Sequence, residues 1–355
     1  MVESSPLLRF LADHASFESL NAEEFSLLMA EARSCGVLGR LAAEVLKRPE
    51  SGSLSAHVKD QLVAATTHSG GFIQDVWREL SSIERALQGL GTPVIVLKGA
   101  SYVLLDLPPA NGRIFSDVDI LVSENKILEA EAALMLAGWA VEKMDPYDQR
   151  YYREWSHEIP PMTHLQRGTT IDLHHSLQMP TCRIKVNSSK MILAAMPAKS
   201  HSFWHCLREE DMVLHAVSHL MLNSEFDRGL RDLWDIHLLY RHFTAASPQF
   251  SDRLFARAQE VGMATLLRQA IGLISRIFAR PPPSWADRVD ASLFLWFLGK
   301  AATTRHPVTR PRAQAAADWS LMMREMYLRL PPKLLAVHAW HKLSEVFERP
   351  KKAEV

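Results

Sequence analysis

The stretch Ser116-Asp117-Val118-Asp119-Ile120-Leu121-Val122 sets two acidic residues in alternation with Val118, Ile120 and Val122. A period of two belongs to a β-strand, where alternate side chains share a face. Asp117 and Asp119 are therefore expected on one face and the aliphatic residues on the other. Like charges so close are costly unless a cation neutralises them. Hard divalent cations prefer carboxylate oxygens, and Mg²⁺ commonly combines a few carboxylates with substrate phosphates.

Upstream, Val94-Ile95-Val96-Leu97 follows Pro93 and is apolar, β-branched and too short for a helix, which predicts a buried strand ending at Lys98-Gly99. In Lys98-Gly99-Ala100-Ser101 the chain leaves that strand for a helix predicted over Tyr102 to Leu105. Backbone N–H groups at such a turn can hold a phosphate, and Gly99 allows close approach. Downstream, Ser123 is placed as the N-cap of a helix over Glu124 to Ala137, with Gly138 closing it. Short, aromatic, β-like text runs from Trp139 to Leu177, with a turn at Arg167-Gly168 before Thr169-Thr170-Ile171-Asp172-Leu173. Asp172 would be a third acid on a neighbouring strand, enough for a two-metal clamp with ions ~3.5 to 4 Å apart.

Both flanks have helical periodicity. Apolar residues recur three and four apart from Ser16 to about Leu90, and Gly89 and Gly91 form a stop signal. After Ser188 helices are predicted at Leu207 to Leu222, Arg228 to Tyr240, Ser251 to Val261 and Leu266 to Ala279, then beyond Pro281-Pro282-Pro283 to Phe347. The expected fold class is α+β: a small mixed-sheet module (92–187) between an N-terminal helical segment (1–91) and a C-terminal helical domain (188–355). A chain of 355 residues is long enough for two or three domains.

The composition, 47% hydrophobic and 23% charged, excludes a disordered chain, a collagen-like repeat and a coiled-coil rod. Forty basic residues balance forty acidic ones, so no global field draws the protein to nucleic acid or anionic lipid. Residues 301–355 hold ten Lys and Arg against five acids, read as a solvated helical tail. Cys35, Cys182 and Cys206 form no CxxC pair, the N-terminus lacks a signal-peptide pattern, and no apolar run approaches ~18 residues. A soluble cytoplasmic protein is expected. Asp211, His215 and His219 fall four apart on one helix face and His174-His175 follows Asp172, but HExxH is absent, so hydrogen-bonded core or surface histidines are expected rather than zinc ligands, with His174 supporting the third acid.

Taken together, Leu97-Lys98-Gly99, Arg113, the Ser116 to Val122 stretch and Ile171-Asp172-Leu173-His174 resemble the nucleotidyltransferase superfamily with the DNA polymerase β-like catalytic fold. The likeness is greatest to its bacterial family of uncharacterised nucleotidyltransferases. His219, Leu230-Arg231 and Asp235-Ile236 add to it, and it covers about Thr92 to Tyr240. The resemblance implies transfer of an NMP group from an NTP, with ATP as the expected nucleotide, and release of pyrophosphate. It implies that Asp117 and Asp119 bind two Mg²⁺ ions, with Mn²⁺ as the alternative, and that Asp172 serves the acceptor hydroxyl as metal ligand or base. Gly99 and Ser101 would lie against the nucleotide phosphates, with Lys98, Ala100, Arg113 and Ser116 completing the nucleotide-binding set.

Arg113 has two readings, a salt bridge to Asp106 or Asp117 or a guanidinium clamp on phosphate. His174 is expected beside the third acid, and His219, Arg231 and Asp235 along the cleft where helical domain and module meet. The superfamily usually follows its glycine with Gly or Ser, whereas Ala100 stands here. That departure leaves open a catalytically inactive nucleotide-binding or interaction protein of the same fold. A third reading is a nucleic-acid binder working through residues 301–355. Acceptors in this fold include small molecules, sugars, proteins and RNA ends; a membrane partner is not expected.

Overall fold

The computed structural model describes residues 5–142, 144–199, 201–222, 226–287 and 292–348. Its centre is a seven-stranded mixed sheet of β1 (Val94–Val96), β2 (Asp117–Leu121), β3 (Trp139–Val141), β4 (Met162–His164), β5 (Thr170–His174), β6 (Met196–Ala198) and β7 (His201–Cys206), in the order β3-β4-β5-β2-β1-β7-β6. The α+β class expected from the sequence is the class observed. β2 runs antiparallel to β1 and parallel to β5, in a register that sets Asp119 opposite Asp172 and Leu121 opposite His174. The alternation places Asp117 and Asp119 on one face, joined by Asp172 and His174 from β5. Val118, Ile120, Ile171 and Leu173 are buried on the other.

The long helix Ala56–Leu87 crosses the module, meeting β2 and the helices Lys98–Leu104 and Ile127–Leu136. Its buried Leu80, Ile83 and Leu87 belong to one continuous apolar core reaching from Leu7 to Leu321. Full burial of such side chains contributes roughly 1.5 to 3 kcal/mol each, so the N-terminal helices are integral to the fold. A second tie is made where two glycines meet. A Cβ on Gly112, which has φ +71°, would lie 2.3 Å from the Arg40 nitrogen, and one on Gly39 would lie 2.7 Å from the Gly112 carbonyl oxygen. Only bare backbone fits there.

Three local expectations are corrected. The first module helix begins at Lys98 rather than Tyr102, and Lys98 itself holds the left-handed φ of 39°. Ser123 makes no side-chain cap; a 3-10 turn over Glu124–Lys126 precedes the helix Ile127–Leu136. The chain after 188 is not helical throughout, because β6 and β7 extend the sheet and β7 pairs parallel with β1, Val94 opposite Trp204. His201-Ser-Phe-Trp-His-Cys206 mixes polar and aromatic residues and finds its partner about a hundred residues upstream, so no local period announces it. A module bounded at 187 leaves out the strand covering that edge of β1. Among the described residues, no helix is long and apolar enough to cross a membrane.

Candidate active site

A cleft of about 660 Å³ opens between the acidic face of the sheet and the helices Glu209–Leu222 and Gly229–Ala246. Lys98, Gly99, Asp117, Asp119 and Asp172 line its sheet wall, and His219, Arg231, Asp232 and Asp235 its helical wall.

Asp119 is the best-partnered acid on the sheet wall. Its Oδ1 accepts from Lys98 Nζ at 3.1 Å and from His174 Nε2 at 3.0 Å. Burial pushes its pKa up, but Lys98 and His174 outweigh that and hold it well below the usual range. Asp117 has the opposite balance, raised first by burial and then by the neighbouring Asp119. Asp172 is pushed up to about 8 by burial, then by Asp119, Glu158 and Asp117. Lys98 is raised despite its burial, because Asp119 and Glu158 favour its charged form. Oxygen donors on one face, carrying more negative charge than Lys98 offsets, suit a hard divalent cation. The three aspartates share a face without closing to ligand spacing. Among the described residues, the groups of three whose ligand atoms lie within 4.8 Å of one another are His157, Glu158 and His174, and Asp145, Asp148 and His341.

The strand-to-helix turn is built around Gly99. A Cβ there would meet the Phe115 ring at 3.0 and 3.1 Å and Arg113 Nε at 3.2 Å. Ala100 and Ser101 are buried, and Ser101 Oγ donates to the Lys98 carbonyl at 2.7 Å. That bond steadies the left-handed Lys98, while neither residue lines the cleft. Ser116 does line it, and Arg228 Nη1 donates to its Oγ at 3.5 Å.

Arg113 ion-pairs with neither Asp106 nor Asp117 but with buried Asp235, which also binds Arg40 Nη2 at 2.6 Å. Phe115 and Tyr102 flank the Arg113 guanidinium. Arg231 gives Nε and Nη2 to Asp232 Oδ1 at 2.9 and 2.8 Å. Burial, reinforced by Lys98, holds His219 down to about 3, so it is neutral in the cleft. Asp211 and His215 do not join it as ligands; Asp211 is bound by Arg257 at 2.8 and 2.9 Å.

The sequence reading missed His157, Glu158, Arg228 and Asp232. His157 and Glu158 follow a single π turn, Tyr151–Trp155, whose Tyr151 and Tyr152 also line the cleft. Such turns are frequent at functional sites, but no sequence period marks this one. Asp232 adjoins the already noted Arg231 and stands three residues before Asp235, a helical spacing that was the available signal, whereas Arg228 stands in the turn just before that helix.

A mixed sheet with paired strand acids and a helical wall facing them is consistent with a nucleotidyltransferase module. A model of the family described as uncharacterised nucleotidyltransferase matches residues 21–279, and the chain belongs to that family. The match runs well beyond Thr92 to Tyr240 in both directions, taking in the N-terminal helices that share the core. No curated protein and no solved structure matches the chain.

Proposed function

We propose that the protein is a Mg²⁺-dependent nucleotidyltransferase that moves an NMP group from an NTP, with ATP as the expected donor, to an acceptor hydroxyl. The observation that carries this reading is the placement of Asp117, Asp119 and Asp172 on one face of two paired strands, at the wall of a cleft large enough for a nucleotide. Family membership supports the same reaction class.

Asp117, Asp119 and Asp172 would hold the metal, which when bound neutralises and orients the triphosphate. Lys98, Arg228 and Arg231 bring positive charge to the same cleft and would steer the phosphates. The acceptor oxygen forms a bond to the α-phosphorus as the bond from that phosphorus to the bridging oxygen breaks. Pyrophosphate leaves with the electron pair, and Asp172 would take the hydroxyl proton. Little covalent work falls to the protein, so the rate would come from orientation and electrostatics.

The test is pyrophosphate release and transfer of α-labelled nucleotide in the presence of Mg²⁺ and candidate acceptors. Asp117→Asn and Asp119→Asn should each lower turnover by about a thousandfold or more without changing the circular dichroism spectrum. Retained turnover in both variants overturns the assignment. Metal-dependent NTP binding with no pyrophosphate release from any acceptor would favour an inactive nucleotide-binding protein, for which Ala100 beside Gly99 is the motivating residue.

A further inference from the structure

We propose that His157, Glu158 and His174 form a separate binding site for a transition-metal dication such as Zn²⁺, next to the aspartates but not made of them. This site does not depend on the nucleotidyl-transfer reading.

Backbone pairing holds the three residues together. Glu158 forms an antiparallel bridge with His174, the Ile159 amide donates to the Leu173 carbonyl at 3.0 Å, and the His175 amide to the His157 carbonyl at 2.9 Å. The segment is thus pinned along the end of β5. His174 is 1% exposed, and its Nε2 faces Asp119 Oδ1 at 3.0 Å. A carboxylate oxygen can only accept, so Nε2 carries a proton, and in the neutral imidazole Nδ1 is then left with a lone pair.

That Nδ1 is buried without a hydrogen-bond partner among the described residues, and it lies 3.3 Å from Glu158 Oε2. In that neutral form two acceptors face each other at the edge of the cleft, an arrangement that costs free energy until a proton or a cation lies between them. Glu158 Oε2 is also 3.7 Å from His157 Nε2. Ligand atoms held on a tetrahedral zinc at ~2.0 to 2.1 Å are separated by roughly 3.3 to 3.4 Å, close to the two spacings from Glu158, and all three ligand atoms lie within 4.8 Å of one another.

The surroundings of the imidazole fit as well. A metal-bound imidazole commonly gives its other N–H to a carboxylate, which fixes its tautomer and orientation, and Asp119 does this for His174. Two imidazoles and one carboxylate favour zinc and its neighbours over Mg²⁺, which prefers oxygen. His157 and Glu158 both line the main cleft, so a fourth coordination position would face the substrate space. Through Asp119, this ion and the magnesium-type site would share one residue.

The experiment is equilibrium dialysis of the full chain against micromolar Zn²⁺ in millimolar Mg²⁺, with bound metal counted by mass spectrometry. Co²⁺ replaces Zn²⁺ in a parallel sample read by visible absorption. One zinc per chain is expected, with the intense bands of low-coordinate Co²⁺. Asp117→Asn should keep the zinc, whereas His157→Ala and the near-isosteric Glu158→Gln should each weaken it by ~100-fold, with folding checked by circular dichroism. A wild type that retains no zinc overturns the site and leaves a shared proton as what separates Glu158 from His174. Zinc that survives in both His157→Ala and Glu158→Gln, or that is lost in Asp117→Asn, overturns it equally. NTP binding is measured separately, so a failed transferase assay does not touch this result.

Discussion

On the helical wall of the cleft, Asp235 lies between Arg40 and Arg113, and Asp232 takes two N–H groups of Arg231. On the facing sheet wall, Asp117, Asp119 and Asp172 have Lys98 among them, and the pKa of Asp172 is pushed up to about 8. The residue types are similar and so is the burial; what differs is whether each anion has its own cation. Compensated acids are part of the scaffold, since a buried pair loses most when one partner is removed. Under-compensated acids make the folded protein less stable than it could be, and such a cost persists where an incoming cation offsets it.

Breaking the compensated side should have the largest effect on stability. Asp235→Ala leaves Arg40 and Arg113 buried without their carboxylate, and about 3 to 5 kcal/mol should be lost in a urea titration. A loss below about 1 kcal/mol would mean that the helical wall is not held by these pairs.

The uncompensated side should respond with the opposite sign. Asp172→Asn puts a neutral amide where the wild type must take up a proton to fold near neutral pH, so the metal-free variant should be more stable than wild type by on the order of 1 to 2 kcal/mol there, although it could not fill the ligand or base role proposed for Asp172. The sign follows from the raised folded-state pKa, about 8 against about 3.9 for the unfolded chain. Folding favours the protonated carboxyl, a contribution fully present below the unfolded value and lost as pH rises through about 8. Thermal melts in chelator should therefore show the wild type declining across that window and Asp172→Asn declining less.

Gly99→Ala sharpens the contrast at the turn between the walls. Its Cβ presses on the Phe115 ring and Arg113 Nε, which should cost about 1 to 2 kcal/mol by crowding and raise KM for the nucleotide more than it lowers kcat. Glu154→Ala, which removes an exposed pair with Arg150, should change stability by less than about 0.5 kcal/mol, a baseline for the rest.

The shared face of Asp117 and Asp119 was legible because alternation is a local property of a strand. So were the strand before Lys98, the helical flanks and the placement of Asp172 on a strand of its own. The pairing of Asp119 with Asp172 was not, since strand register depends on contacts about fifty residues apart. Arg113 shows the same limit: Asp106 and Asp117 were near in sequence, but Asp235 was near in space. His157 and Glu158 sit in irregular chain after a π turn, where no periodicity carries information. Ser101 looked like a phosphate contact by position, and only its bond to the Lys98 carbonyl reveals that its hydroxyl is committed to the backbone.

The meeting of Gly39 and Gly112 bears on how this sheet can be handled outside its own chain. Gly112 immediately precedes Arg113, in the loop that leads to the strand acids, and its backbone rests directly on that of Gly39 and Arg40. A fragment excised at Thr92 would lose the surface against which this loop is moulded, together with one arginine of the Asp235 pair. The shortest transplantable unit thus begins upstream of Gly39, and swapping specificity between relatives would require the N-terminal helices to travel with the strands.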